Sequence, residues 1–186
     1  MFTEQGSAAA GRVTVRRAGP ADAAALHDVA AATFGLACPP GTTARAIEEF
    51  VATTLSAERF AGYLEDPARE LLVAEVDGRA VGYTMLVFGE PIDPDVAASV
   101  TVRPTAELSK FYVLAERHGS GTATALMDAT IESARARGVA GVWLGVNQFN
   151  PRANRFYEKS GFAVAGTKKF LVGGKYEDDF VRERVL

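Results

Sequence analysis

One cysteine, Cys38, stands among 186 residues, so no internal disulfide framework and no Cys/His zinc cluster can form. Two histidines, His27 and His118, are too few for a dedicated metal site, and no metal is expected. No apolar run reaches the roughly 18–20 residues that span a bilayer. The net charge of −3 lacks the basic excess of a nucleic-acid binder. Neither a membrane nor a nucleic acid is therefore an expected partner. The opening MFTEQGSAAAG has no basic start and no long apolar stretch, so no secretory signal is read there and a cytoplasmic protein is expected. Residues 1–12 read as a loose arm of small residues. With no internal repeat and no dividing linker, 13–186 read as one domain with a sizeable core.

What is present is a change of hydrophobic period along the chain. Val13 to Arg17 alternates as a short strand, and Leu26, Val29, Ala30 and Phe34 recur at helical spacing after Pro20. Thr42 or Thr43 is placed to cap a second helix carrying Ile47, Phe50, Val51 and Leu55, and a short helical piece covers Phe60 to Leu64. Two apolar runs joined by Asp77-Gly78 predict a hairpin. A Pro-rich, partly acidic connection, EPIDPDVAASVTVRP, leads to the strand AELSKFYVL. A helix with Leu126, Met127, Ile131 and Ala134 in register follows, then the strand VAGVWLGVN, apolar enough to be buried on both faces. A helix starts near Pro151 and ends before Gly161; GFAVAGT and DDFVRERVL close the chain as strands around a VGGK turn. The order β-α-α-β-β-β-α-β-α-β-β predicts an α/β fold: one mixed sheet of about six to seven strands with helices on both faces.

Small residues are wedged between a strand and a helix at His118-Gly119-Ser120-Gly121-Thr122-Ala123-Thr124. Read plainly, the glycines end a strand and permit a tight turn. A P-loop is excluded, because no G-x-x-x-x-G-K-[ST] occurs. A dinucleotide fingerprint fails at its last position, Thr124, and the next strand ends in Asn147 where that fold wants an acid for the ribose. A phosphate cradle remains: small residues let the backbone approach, and the free N–H groups of a helix start point at the anion.

This stretch resembles the acyl-CoA signature of the GNAT N-acetyltransferases, [R/Q]-x-x-G-x-[G/A], with His118 where arginine or glutamine is commoner. A second block, N-x-x-A-x-x-F-Y-x-x-x-G-F, is matched by Asn150, Ala153, Phe156, Tyr157, Gly161 and Phe162. The two blocks and the preceding hairpin extend the resemblance over about residues 70–165. It implies a GNAT-like, mostly antiparallel sheet. It also implies an acetyl-CoA site at Phe111, Tyr112, Val113, His118, Gly119, Ser120, Gly121, Thr122, Ala123, Thr124 and Asn150. Each residue also has a plainer reading: Asn150 as a helix N-cap, Tyr157 as a half-buried helix aromatic, Phe156 as core.

The resemblance further implies direct attack within a ternary complex, with the N–H near Val113 facing the thioester oxygen and Tyr157 as general acid. Glu107 is a candidate base, and equally a surface carboxylate. Cys38, in a Pro-rich loop with no histidine beside it, is discounted as an acetyl carrier. The blocks look most like the branch acting on polyamines and other small-molecule amines. Glu90, Asp93, Asp95, Asp178 and Asp179, read as loop residues, are a candidate attraction for a polycation. The alternatives are acetylation of a protein N-terminus or lysine, a silent CoA-binding regulator, and a nicotinamide-dependent enzyme. The acceptor, the length of the acyl group and the oligomeric state stay open, with a homodimer among the alternatives.

Overall fold

The computed structural model describes residues 11–172 and 174–186. The expected arm lies outside them apart from Gly11 and Arg12, as does Gly173 of the expected VGGK turn. The described residues form a seven-stranded sheet of β1 (Val13–Arg17), β2 (Arg69–Val76), β3 (Arg79–Phe88), β4 (Thr105–Val113), β5 (Gly141–Asn147), β6 (Ala163–Val172) and β7 (Lys175–Val185). Its spatial order is β1-β2-β3-β4-β5-β7-β6. Every neighbouring pair is antiparallel except β4–β5, which is parallel. The helices are α1 (Ala23–Ala37), α2 (Ala44–Thr54), α3 (Ala57–Glu65), α4 (Pro94–Ser99), α5 (Thr122–Ala136) and α6 (Pro151–Lys159).

Local chemistry accounts for the boundaries. Thr43 and Ser56 accept the N–H groups of Ala46 and Arg59, each at 3.2 Å, and start α2 and α3. Asp77 (φ 51°) and Gly78 (φ 77°) both adopt left-handed backbone, the conformation a two-residue hairpin turn requires. Alternation along β3 then places helices on both faces. Tyr83 packs edge-on against Phe60 of α3 with centroids 5.3 Å apart, while its neighbour Thr84 shares a 2.9 Å hydrogen bond with Thr130 of α5.

Two segments differ from expectation. The Pro-rich connection contains α4, because Asp93 accepts from the N–H groups of both Asp95 and Val96 and Val96 is fully buried. β6 and β7 run longer than the sequence indicated, since their ladder continues through the charged pairs Lys168↔Asp179 and Lys169↔Asp178.

One buried cation fixes α6 to the sheet. Arg182 of β7, 7% exposed, donates to Asn154 Oδ1 and to the Phe162 carbonyl, both at 3.1 Å. Asn154 in turn donates to the carbonyls of Asn147 and Asn150, each at 2.9 Å. The start of α6 is thereby held to the end of β5, and Tyr157 is positioned from there.

Candidate active site

β4 and β5 begin as neighbours and then part. They pair only from Thr105↔Gly141 to Glu107↔Trp143, although β4 continues to Val113 and β5 to Asn147. A bulge assists the divergence: Met85 pairs with Lys110 and Leu86 with Leu108, leaving Ser109 as the extra residue. The Leu114 N–H donates to Val81 O on the β3 side at 2.9 Å. Strand alternation therefore turns the N–H groups of Phe111 and Val113 toward the gap, where no strand meets them.

A cleft of about 540 Å³ opens at this gap, lined from β4 by Phe111, Tyr112 and Val113 and from the next turn by His118, Gly119, Gly121, Ala123 and Thr124. Gly119 (φ 78°) and Gly121 (φ 84°) are left-handed, with open space where a Cβ would stand. Among the described residues, the N–H groups of Gly119, Gly121, Thr122, Ala123 and Thr124 meet no acceptor. Free amides, absent side chains and a helix start together fit the diphosphate of a nucleotide cofactor. Arg152 of α6 and Thr33, Leu36 and Ala37 of α1 complete the wall.

The side chains of the expected residues His118, Ser120, Thr122 and Asn150 have partners within the protein. His118 Nε2 donates to the Val113 carbonyl at 3.0 Å, so this nitrogen braces the end of β4. Ser120 turns inward: its N–H (3.3 Å) and hydroxyl (2.6 Å) both donate to Arg117 O, and its hydroxyl lies 2.8 Å from Thr122 Oγ1. Thr122 is fully buried, and neither it nor Ser120 lines the cleft. Asn150 caps α6, accepting from the Ala153 N–H at 3.0 Å, and still lines the cleft. Capping α6 does not remove Asn150 from the cleft wall.

Tyr157 stands at the far wall. Its ring contacts Phe111, Phe156 and Phe162 at centroid distances of 6.1, 5.6 and 6.0 Å. Its hydroxyl has no hydrogen-bond partner among the described residues. Burial, aided by Tyr112, raises its pKa well above the ordinary phenol value, so it stays protonated. Phe156, read as core from the sequence, is half-buried and lines the cleft.

A second chamber, of about 380 Å³, adjoins the first and shares Phe111, Tyr112, Asn150 and Tyr157 with it. Its floor is the sheet: Glu107, Gly145, Asn147, Asp179, Lys168 and Phe170. Its roof comes from α1 and α2, where Phe34 and Phe50 stack at 4.3 Å, and Phe170 closes on Phe50 at 6.3 Å. Cys38 also lines it. Burial raises this thiol, whose Sγ–H donates to Phe34 O at 3.3 Å, which fits no nucleophile.

Charge in this chamber is unusual for its depth. Burial raises Glu107, against the pull of Lys168 and Lys110, so it is not the open surface carboxylate that was one reading. Burial lowers Lys110 to about 8, opposed by Glu107. Asp179 is 6% exposed and raised to about 6, again by burial and against Lys168. A carboxyl raised in the fold contributes stability at low pH that is lost as the pH rises through its folded value, here about 6 for Asp179.

Of the acids expected in loops, Glu90 and Asp93 lie there, whereas Asp95 belongs to α4. Asp178 and Asp179 lie in β7, and Asp178 pairs with Lys169. Glu90 pairs with Arg103, and Asp93 caps α4. Lys110, Asn147 and Lys168 escaped sequence reasoning, because only the sheet brings them together. A signal existed in Gly145: a Cβ there would fall 3.0 Å from Lys168 Nζ and 3.4 Å from Asp179 Oδ2.

Comparison with known proteins agrees with this geometry. Residues 38–162 match the acetyltransferase (GNAT) family. An uncharacterised N-acetyltransferase of Mycobacterium tuberculosis is 48% identical over 165 residues, covering 89% of this chain and 98% of its own. A PaiA N-acetyltransferase of Thermoplasma acidophilum, solved in complex with coenzyme A, superposes with a TM-score of 0.75 at 19% identity, covering 94% of this chain and 99% of its own. A ribosomal-protein-alanine N-acetyltransferase of Brucella melitensis superposes with a TM-score of 0.69 at 25% identity, covering 93% and 99%.

Proposed function

The chain belongs to the GNAT acetyltransferase family and is an N-acetyltransferase of that type. From that premise we propose that it moves an acetyl group from acetyl-CoA to a primary amine of a small molecule, by direct attack in a ternary complex. One observation carries this reading: two adjoining cavities at the β4–β5 gap share a wall at Phe111, Tyr112 and Tyr157. A donor in the cleft and an acceptor in the chamber would meet at that wall, where proximity supplies much of the rate.

Acetyl-CoA supplies an activated thioester. The amides of Gly119 and of Gly121 to Thr124 hold its diphosphate, and the free edge of β4 at Phe111 to Val113 takes its extended arm as an added strand. The Val113 N–H stabilises the negative charge that develops on the thioester oxygen. Glu107, directly or through water, takes the ammonium proton that blocks attack. As the nitrogen–carbon bond forms and the carbon–sulfur bond breaks, Tyr157 gives its proton to the sulfur and regains one from the nitrogen.

Thiol release from acetyl-CoA against polyamines, amino acids and peptides tests this. Turnover with a free small amine is the expected result. A second reading, acetylation of a protein N-terminus, has the likeness to the Brucella melitensis enzyme in its favour. Turnover confined to peptides would establish it in place of the first.

A further inference from the structure

The chamber's polar atoms describe the acceptor. Asp179 Oδ1 and Asn147 Nδ2 are buried and lack any hydrogen-bond partner among the described residues, and the two residues face each other across β5 and β7. Asn147 Oδ1 is already committed to the Phe149 N–H at 2.8 Å. Lys168 sits opposite Asp179 on β6, yet the two make no ion pair within 4.0 Å among the described residues. The Lys168 stem instead lies over Gly145, where a Cβ would otherwise stand, with its Nζ 3.0 Å and Asp179 Oδ2 3.4 Å from that point. One unused acceptor, one unused donor and an ammonium thus stand side by side on the floor, under a roof of phenylalanine rings. Leaving such polar groups dry is costly, and a ligand that pairs with them removes the cost.

We propose that the acceptor is a free α-amino acid with an apolar side chain, its ammonium on Asp179, its carboxylate on Lys168 and Asn147, and its side chain against Phe34, Phe50 and Phe170. An α-amino acid carries opposite charges on adjacent carbons, as the floor carries Asp179 beside Lys168. A polyamine matches poorly, because Lys110 and Lys168 already place two ammonium groups among the lining residues. The amine then lies toward Tyr157, which borders both cavities. This assignment rests on the acetyl-transfer reading only for its chemistry; the binding stands separately.

Isothermal titration into the full chain saturated with CoA separates the two. L-leucine and L-phenylalanine are expected to bind, and their amides, which lack the carboxylate, to bind about 10- to 100-fold more weakly. Asp179→Asn is expected to weaken amino-acid binding by a similar factor, leaving CoA affinity within about twofold and not lowering the melting temperature. A purely structural Asp179 would lower it. Lys168→Met is expected to erase the preference for the free acid over its amide. Amino-acid binding without thiol release would overturn acetyl transfer and uphold the chamber's assignment. Spermidine binding more tightly than either amino acid, no amino-acid binding at all, or Asp179→Asn binding as the parent does would overturn the assignment itself.

Discussion

Replacing Tyr157 by phenylalanine is expected to lower kcat by about 100-fold or more, leaving the KM for acetyl-CoA within about twofold. The substitution keeps the ring that packs on Phe111, Phe156 and Phe162 and removes only a hydroxyl that supports no hydrogen bond among the described residues. Stability should therefore be unchanged, and the loss should fall on the chemical step. The phenol's raised pKa makes its transfer to a departing thiolate, with a thiol pKa near about 8.5, uphill. Hydrogen-bond support of the sulfur as charge builds is then its larger share. Steady-state kinetics at saturating acceptor reads the effect, and unaltered turnover would remove Tyr157 from the mechanism.

Gly121→Val is expected to weaken acetyl-CoA binding by about tenfold or more, from methyl groups standing where the diphosphate must lie, while the left-handed strain of roughly 1–3 kcal/mol falls on folding stability. Among the described residues nothing lies within 4 Å of the added Cβ, so the new side chain meets the ligand rather than the fold. Gly78→Val supplies the control, because Gly78 has φ +77° against +84° at Gly121 and equally open surroundings, but lies in the β2–β3 turn. Comparable strain with undisturbed acetyl-CoA affinity is expected there. Equal losses of affinity in both variants would mean that the cradle has no special part in binding.

The elements that could be read from the sequence are those whose determinants are local. The turn at Gly119 to Thr124 and the run from Asn150 to Phe162 carry their geometry in adjacent residues, so both the cleft and α6 were legible. Helix α4 was not, because Asp93, Pro94 and Asp95 look like a loop until Asp93 is seen to cap the N–H groups behind it. Asp179 looked like a loop acid for a similar reason: with Asp178 beside it and Lys168 and Lys169 on the partner strand, the hairpin shows no apolar alternation. The chamber was legible only in Gly145, a glycine inside β5 that marks a close approach. Its lining comes from four strands and from α1, α2 and α6, and no spacing in the sequence encodes that meeting. His118 stood correctly in the turn, but its Nε2 goes to the Val113 carbonyl, a partner five residues back that only the folded turn reveals.

A crystal structure of the acetyl-CoA complex tests the central claim most directly. The expected result places diphosphate oxygens at about 2.7–3.2 Å from the amides of Gly119 and of Gly121 to Thr124, with the acetyl group between Val113 N–H and Tyr157. A diphosphate bound elsewhere, with those amides turned to other acceptors, would contradict it.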